Sequence, residues 1–279
     1  MFWTIVTVII LLAAIALYMF GCKQDGKKAT GDTIVSKGVS AIAIVLIALC
    51  VCRLFTPTYL LHTNPAILQE MVQNMQAQQE QEKNKVVRKY VAKHADEMIG
   101  NAPIAGNVDA KKTIFLWSDY SCPYCRRVHA ELARVLADRD DVRLVLKNFS
   151  IHGALSDAPA KALIAAKIQD NAKAAKLDEL LMAKEYYTQD DMKDQAKLPE
   201  KIHANVMKLA KEAGLDTKQL EKDMEGDVVK AELQNVRELA QRFEISGTPY
   251  LIIGDKAFPG AIPYARIIEA FNWKIWRTC

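Results

Sequence analysis

Two cysteines separated by two residues, Cys122 and Cys125, are the residues whose type and spacing most directly suggest chemistry. They follow an apolar run, residues 113–117, and precede a helical pattern over residues 126–136. At a strand-to-helix junction the first sulfur lies over the helix N-terminus, where free N–H groups and the helix dipole favour a thiolate. The second sulfur comes one turn later, close enough to displace a mixed disulfide formed by the first. The spacing therefore predicts a redox-active dithiol, with Cys122 as nucleophile and Cys125 as resolving thiol.

The alternative for this spacing is half of a zinc site, which needs a second Cys or Cys/His pair. The remaining cysteines are Cys22, Cys50, Cys52 and Cys279, and no two histidines have finger-like spacing. We therefore favour redox chemistry and expect neither a metal nor another cofactor. Cys50 and Cys52 are either a redox relay or small apolar residues of a membrane helix, and the sequence assigns no role to the other two.

A second signal lies far downstream, where Gly247, Thr248, Pro249 and Tyr250 precede the apolar residues 251–253. A proline at the start of a strand donates no ladder hydrogen bond, and a cis X-Pro peptide bond is plausible there. The alternative is a simple turn that leads into the strand.

The sequences FLWSDYSCPYCRRVHAEL and ISGTPYLIIGDKAFPGAIPYARIIEAF resemble the DsbA-type branch of the thioredoxin superfamily. The resemblance covers about residues 110–273, and residues 64–98 are similar to the N-terminal helix of ScsC-like members. It implies a thioredoxin fold with an inserted helical subdomain. It also implies that Thr248 and Pro249 form a cis-proline loop that faces the sulfurs and binds an extended substrate segment.

The residues beside the cysteines have two interpretations each. Pro123 and Tyr124 occupy the positions where the intervening dipeptide tunes thiolate stability. Arg126 and Arg127 either lower a thiol pKa or simply solvate the helix face. The aromatic residues of the region either form an apolar rim for unfolded substrates or belong to the core: Tyr120, Tyr124, Tyr250 and Phe258.

One position departs from the superfamily pattern. Many thioredoxin-like proteins carry a buried acid six residues before the first cysteine, whereas this chain has Leu116 there. Proton transfer to and from the resolving thiol of Cys125 must therefore differ from that in proteins that carry the acid. Asp119 lies nearer to the cysteines, but we interpret it as a surface or capping residue. We interpret His129 as a surface residue and His152 as a loop residue.

The N-terminal part, residues 1–61, has the composition of a membrane region. Residues 2–20 are an uninterrupted apolar or weakly polar run, and residues 39–52 are a second, shorter one. Both are candidates for transmembrane helices. No basic residue precedes the first run, so we do not expect a cleaved signal peptide.

The distribution of positive charge predicts the membrane topology. Four lysines lie between the two spans, whereas residues 54–82 contain no Lys or Arg. By the positive-inside rule the short loop is cytoplasmic and the dithiol domain lies outside the cytoplasm. In a bacterium this places the domain on the periplasmic side of the inner membrane, an oxidising compartment. The net charge of +4 is too small and dispersed to indicate nucleic-acid binding.

Residues 62–106 are predicted to form a long helix and a linker. Apolar residues recur at helical spacing over residues 67–75 and again over residues 86–98, with a Gln- and Glu-rich centre between them. The helix is either an oligomerisation stalk over residues 67–98, as the ScsC resemblance implies, or a solvated spacer. Residues 100–103 end it.

The remaining residues, 107–279, are predicted to form the α/β thioredoxin domain. Residues 113–117 and 142–146 are predicted parallel strands on either side of the helix after Cys125. The segment over about residues 156–244 is predicted to be helical and to form the inserted subdomain. Gly254 and Asp255 indicate a two-residue hairpin, and residues 264–271 a final helix.

These features predict a membrane-anchored periplasmic thiol:disulfide oxidoreductase that acts on protein cysteines. A monomeric oxidase would need a DsbB-like oxidising partner in the membrane, whereas an oligomeric isomerase would need a DsbD-like reductant. The alternative from a different class of function is a non-catalytic chaperone or binding module, in which the dithiol is incidental.

Overall fold

The computed structural model describes residue 49 and residues 65–271. The predicted membrane spans, residues 2–20 and 39–52, lie outside the described residues apart from Leu49. Within the described part, no helix combines the length and the apolar character needed to cross a bilayer. The chain divides into two compact units between Gln78 and Gln79.

In the described part of the chain, a five-stranded sheet is the centre of the second unit. Its strands are β1 (Ile104–Gly106), β2 (Lys112–Ser118), β3 (Val142–Asn148), β4 (Tyr250–Ile253) and β5 (Lys256–Pro259), in the order β1-β3-β2-β4-β5. Strands β2 and β3 are parallel, and all other neighbours are antiparallel. The predicted β-α-β unit is therefore present.

Helices surround this sheet. Their bounds are α1 (Pro65–Ile99), α2 (Pro123–Asp138), α3 (Asp157–Gln169), α4 (Asn171–Ala183), α5 (Leu198–Glu212), α6 (Thr217–Met224), α7 (Asp227–Arg242) and α8 (Tyr264–Phe271). Helix α2 connects the two parallel strands, and α3 to α7 are the helices inserted between β3 and β4. Short 3₁₀ turns lie at Gly153–Leu155 and Asp191–Lys193. The predicted hairpin joins β4 to β5, where Ile253 pairs with Lys256.

The two faces of the sheet carry separate hydrophobic clusters, because successive side chains of a strand point to opposite sides. On one face, Leu116 and Leu146 pack with α2, α8 and the inserted helices. On the other, Phe115 and Trp117 pack with α7 and with the C-terminal part of α1. The dithiol helix α2 is thus held between the sheet and the inserted subdomain.

The second apolar patch of α1 belongs to the domain core. Val87 is buried, and the ring of Tyr90 lies edge-on to that of Phe243 at 5.4 Å between centroids. Asn84 Oδ1 accepts a hydrogen bond of 2.8 Å from the main-chain N–H of Ala257 in the edge strand β5. This part of the helix therefore packs on the domain instead of standing free in solvent.

A buried ion pair fixes the end of α1. Lys147 Nζ on β3 lies 2.7 Å from Glu232 Oε1 on α7, and both side chains are almost fully buried. Lys147 Nζ also donates to the carbonyl of Ile99, and the N–H of Asn101 donates to Glu232 Oε2. Burial lowers the pKa of Lys147, and Glu232 opposes that change. One charged pair thus links α1, β3 and α7.

Candidate active site

Helix α2 begins at the dithiol. Cys122 is its N-cap residue, with extended backbone, and Pro123 is its first helical residue. Proline suits this position because its fixed φ is helical and no N–H is required there. The carbonyl of Cys122 accepts from the N–H groups of Cys125 and Arg126. Both cysteines are buried, and no disulfide joins them in this structure. The sulfurs therefore lie at the carboxyl end of β2, where the sequence pattern predicted them.

The cis-proline segment lies directly against the first sulfur. The Thr248–Pro249 peptide bond is cis, as the sequence suggested. The thiol of Cys122 donates to the carbonyl oxygen of Thr248, with 3.5 Å between Sγ and O. The carbonyl of Pro249 accepts from the N–H of Gly260. The fold thus brings the two predicted site segments together, and their roles in binding and catalysis remain predictions.

The second thiol is isolated from solvent. Cys125 has no exposed surface, and this burial raises its pKa to about 11. The N–H of Asp119 donates to Cys125 Sγ at 3.4 Å. This bond and the nearby hydroxyls of Ser118 and Thr248 partly oppose the rise in the pKa. In the described structure these two hydroxyl oxygens are buried and have no other hydrogen-bond partner.

Asp119 is not a surface or capping residue, so that prediction was wrong. It is 2% exposed, because β2 ends at Ser118 and the following turn directs the carboxylate under the loop after β3. Burial raises the pKa of Asp119, but hydrogen bonds outweigh burial and hold it below its usual value. These bonds come from Ser121, Ile151, His152 and Ser156.

His129 is likewise not a surface residue. Its ring is largely buried, and Nε2 lies 2.8 Å from Asp178 Oδ2 on helix α4. The hydroxyl of Tyr120 donates to Asp178 Oδ1 at 2.7 Å. Burial lowers the pKa of His129, but the negative charge of Asp178 outweighs it and the net shift is upward. In the sequence Asp178 is an acid within an apolar helical stripe, and this pattern is the signal that could have indicated a buried acid there.

Of the two arginines after the dithiol, Arg127 is exposed on the helix face, whereas Arg126 differs from both expectations. Arg126 Nη1 donates to the carbonyls of Met182 and Lys184 at the end of helix α4, and thereby ties α2 to the inserted helices. The guanidinium of Arg127 lies 5.4 Å from the ring centre of Tyr124. Tyr124 is 57% exposed beside the dithiol. The other three candidate rim aromatics are buried: Tyr120, Tyr250 and Phe258.

These contacts describe a buried dithiol with one sulfur against a cis-proline loop. Among residues 65–271 no group of three or more His, Cys, Asp or Glu side chains is arranged to hold a metal ion. The family model described as Thioredoxin matches residues 98–272, more than half of the chain. The chain belongs to the thioredoxin family.

Solved structures of thioredoxin-family proteins are similar to this chain. A thioredoxin-like oxidoreductase from Silicibacter pomeroyi is 31% identical, with a TM-score of 0.56, and the match covers 66% of this chain and 98% of that one. The catalytic domain of Proteus mirabilis ScsC is 26% identical, with a TM-score of 0.54 and coverage of 67% and 99%. P. mirabilis ScsC in a compact conformation is 26% identical, with a TM-score of 0.52 and coverage of 76% and 99%. A comparison with curated proteins found no match.

The resemblance found in the sequence is confirmed at the level of the family. The chain is a DsbA-type member of the thioredoxin superfamily and a disulfide oxidoreductase. Its five inserted helices, α3 to α7 in the described residues, separate the dithiol unit from the cis-proline strand.

Proposed function

We propose that this chain is a membrane-anchored, periplasm-facing enzyme that exchanges disulfides with the cysteines of other proteins. Cys122 is the nucleophile and Cys125 the resolving thiol. The observation that carries the proposal is the 3.5 Å contact between Cys122 Sγ and the carbonyl of Thr248. It sets the first sulfur beside main chain that can bind a substrate, while the second sulfur is buried behind it.

In the oxidising direction the enzyme begins with a Cys122–Cys125 disulfide. A substrate thiolate attacks Cys122 Sγ, the enzyme disulfide breaks, and Cys125 leaves as a thiolate. A second substrate thiolate attacks the substrate sulfur of this mixed disulfide and releases Cys122. The substrate loses two electrons and gains a disulfide, and the enzyme is left as a dithiol. The reverse sequence reduces or rearranges a substrate disulfide.

The substrate is an extended polypeptide segment that contains cysteine. The backbone at Thr248 would pair with it in the manner of an added strand, and Pro249 contributes no N–H that could compete. The exposed ring of Tyr124 offers an apolar surface next to the sulfur. Such recognition favours unfolded or partly folded proteins over a single sequence.

The proposed anchor consists of the two apolar spans in residues 1–61. The lysines between them support a cytoplasmic position for the intervening loop and a periplasmic position for the dithiol domain. The membrane partner is then a DsbB-like oxidant or a DsbD-like reductant. A reporter enzyme that is active only in the periplasm, fused after residue 279, tests this orientation. Activity after residue 279 but not after residue 30 is expected, and the opposite pattern would refute it.

Self-association through α1 is part of the proposal. The first apolar patch of the helix is exposed, whereas Val87 and Met98 of the second are buried. The first patch consists of Ile67, Leu68, Met71, Val72 and Met75. Exposed apolar residues on one element are typical of a protein contact. The mass of the full chain in detergent, measured by sedimentation, should fall to that of a monomer when Leu68 and Met75 are changed to Glu. Glu70→Gln and Glu80→Gln on the same helix are the control, and an unchanged mass in L68E/M75E would exclude this contact.

The direction of exchange is tested on the purified full chain in detergent. Equilibration against glutathione gives the reduction potential, and refolding of scrambled ribonuclease gives isomerase activity. A strongly oxidising monomer indicates an oxidase, whereas a more reducing oligomer that refolds ribonuclease indicates an isomerase. A dithiol that never forms a disulfide would overturn the proposal. Wild-type function in cells with Cys122 and Cys125 both changed to Ser would favour a non-catalytic chaperone instead.

A further inference from the structure

The residue that touches both cysteines through its main chain is Asp119. Its N–H donates to Cys125 Sγ at 3.4 Å, and its carbonyl accepts from the N–H of Cys122 at 3.1 Å. The turn between β2 and α2 is thus organised around one residue. Whatever fixes the main chain at this residue also fixes the surroundings of the second sulfur.

The carboxylate of Asp119 supplies that fixation. It accepts from the N–H and the hydroxyl of Ser121, both at 2.8 Å, within its own turn. Across the site it accepts from the N–H groups of Ile151 and His152 and from the hydroxyl of Ser156, at 2.9, 3.3 and 2.5 Å. His152 Nδ1 lies 2.9 Å from the same carboxylate. The turn is therefore tied to the loop after β3 through a buried anion with donors on two sides.

The second sulfur requires such support. Cys125 has no contact with solvent, and its thiolate is disfavoured by burial. Under the proposed function, however, this thiolate is the leaving group when the enzyme disulfide opens and the attacking group when it closes. Because water cannot reach the sulfur, donors within the protein must stabilise the charge. The N–H of Asp119 is a donor whose position the fold fixes.

We propose that Asp119 is a positioning residue, whose carboxylate holds its own N–H against Cys125 Sγ and so stabilises the Cys125 thiolate during exchange. The inference rests on the proposed function and adds the residue that controls the second step of its reducing direction, in which the enzyme disulfide closes. In that step the Cys125 thiolate attacks Cys122 Sγ of the mixed disulfide. The Cys122–Cys125 bond forms, the bond to the substrate sulfur breaks, and the substrate leaves as a thiolate that takes up a proton from water.

Oxidation of the reduced full chain by glutathione disulfide separates the two steps. First, Cys122 attacks glutathione disulfide and becomes glutathionylated, and one glutathione is released. Second, Cys125 closes the enzyme disulfide and a second glutathione is released. Samples are quenched with acid at successive times, and peptide mass spectrometry follows each state of the Cys122–Cys125 peptide, apart from the other cysteines of the chain.

Asp119→Asn replaces one acceptor oxygen with a donor that faces other donors, so the turn loses its anchor. The rate of the second step should fall about tenfold or more, the size expected for loss of a hydrogen bond to a charged group. Glutathionylated Cys122 should accumulate, while the first step changes less than about threefold. A protein that was merely destabilised would slow in both steps, so the ratio of the two rates is the decisive readout.

Two further variants complete the test. Ser156→Ala removes one hydrogen bond to the carboxylate and should slow the second step several-fold, which keeps the inference falsifiable if D119N does not fold. Asp141→Asn is the control, because Asp141 is a carboxylate that accepts hydrogen bonds from other residues, Arg139 and Lys112, just beyond the far end of α2. It should leave both rates unchanged. Wild-type second-step rates in both D119N and S156A would overturn the inference alone, whereas a wild-type chain that performs neither step would overturn the proposed function and the inference with it.

Discussion

Cys122 Sγ and the carbonyl oxygen of Thr248 lie 3.5 Å apart, although 126 positions of sequence separate them. This contact brings a dithiol and a proline loop from distant parts of the chain together. A substrate strand that pairs with the backbone at Thr248 would bring its own sulfur next to Cys122. The carbonyl accepts from the thiol, so this contact does not itself stabilise a thiolate.

The buried second thiol leads to a trapping prediction. Without Cys125 the mixed disulfide that forms when Cys122 attacks a substrate disulfide has no internal nucleophile, so Cys125→Ser should accumulate covalent adducts with scrambled ribonuclease. Non-reducing electrophoresis detects them, and a reductant should release them. Cys122→Ser should form none at this site, and Cys279→Ser should behave like wild type. Equal adduct yields in all three variants would contradict the assignment of the nucleophile.

The hydroxyl of Thr248 predicts an effect on rate with little effect on stability. It is buried, has no hydrogen-bond partner among the described residues apart from its approach to Cys125, and opposes the rise in the pKa of that thiol. Thr248→Val keeps the shape and the carbonyl but removes the donor. Closure of the enzyme disulfide should slow several-fold, while the unfolding midpoint changes little. Thr248→Ser, which keeps the hydroxyl, should retain most of the rate. Equal rates in T248V and T248S would show that the hydroxyl has no role.

The packing of α1 predicts opposite outcomes for two adjacent valines. Val87 is 1% exposed and Val86 is 50% exposed on the same helix. Val87→Ala removes two buried methyl groups and leaves a cavity, at a cost of about 2 kcal/mol in the free energy of unfolding. Val86→Ala should change it by less than about 0.5 kcal/mol. Urea unfolding of the full chain in detergent, followed by tryptophan fluorescence, measures both. Equal effects would mean that this part of α1 does not pack on the domain.

The dithiol, the cis-proline loop and the β-α-β unit could be predicted because each has a local pattern: a short spacing, a Thr-Pro before a strand, or an apolar run. The environments of Asp119 and His129 could not. Asp119 follows the end of β2, where strand alternation no longer applies, and apart from Ser121 its partners come from a segment about thirty positions later. The partner of His129 is Asp178, on an inserted helix. Which side chains the insertion places against α2 depends on helix packing that no local pattern encodes.

The ion pair between Lys147 and Glu232 predicts a large loss of stability when one partner is neutralised. Glu232→Gln leaves a buried lysine without its countercharge, and breaking such a pair costs about 3 kcal/mol or more. Glu238→Gln on the same helix is the matched control, since Glu238 is exposed and should cost less than about 0.5 kcal/mol. Urea unfolding distinguishes the two. A small effect of E232Q on the free energy of unfolding would mean that Lys147 loses its proton easily once Glu232 is neutral. The double variant that adds Lys147→Met to E232Q would test that explanation.

The contact between His129 and Asp178 predicts a dependence of stability on pH. The pKa of His129 is raised in the folded state because Asp178, with Glu179 nearby, stabilises the imidazolium more than burial disfavours it. A raised pKa means that the stabilisation is fully present below the ordinary pKa of histidine, about 6.5, and is lost as the pH rises through the higher folded value.

His129→Gln removes this contribution. The difference in the free energy of unfolding between wild type and H129Q should therefore be largest below about pH 6.5 and shrink at higher pH. His203→Gln, at a half-exposed histidine 3.4 Å from Glu221, is the control for the loss of a histidine. Asp178 also accepts a hydrogen bond from the hydroxyl of Tyr120, which lies two residues before Cys122. The rate of the first exchange step should therefore be measured over the same pH range. Parallel stability curves for wild type and H129Q would show that the pKa of His129 does not change on folding.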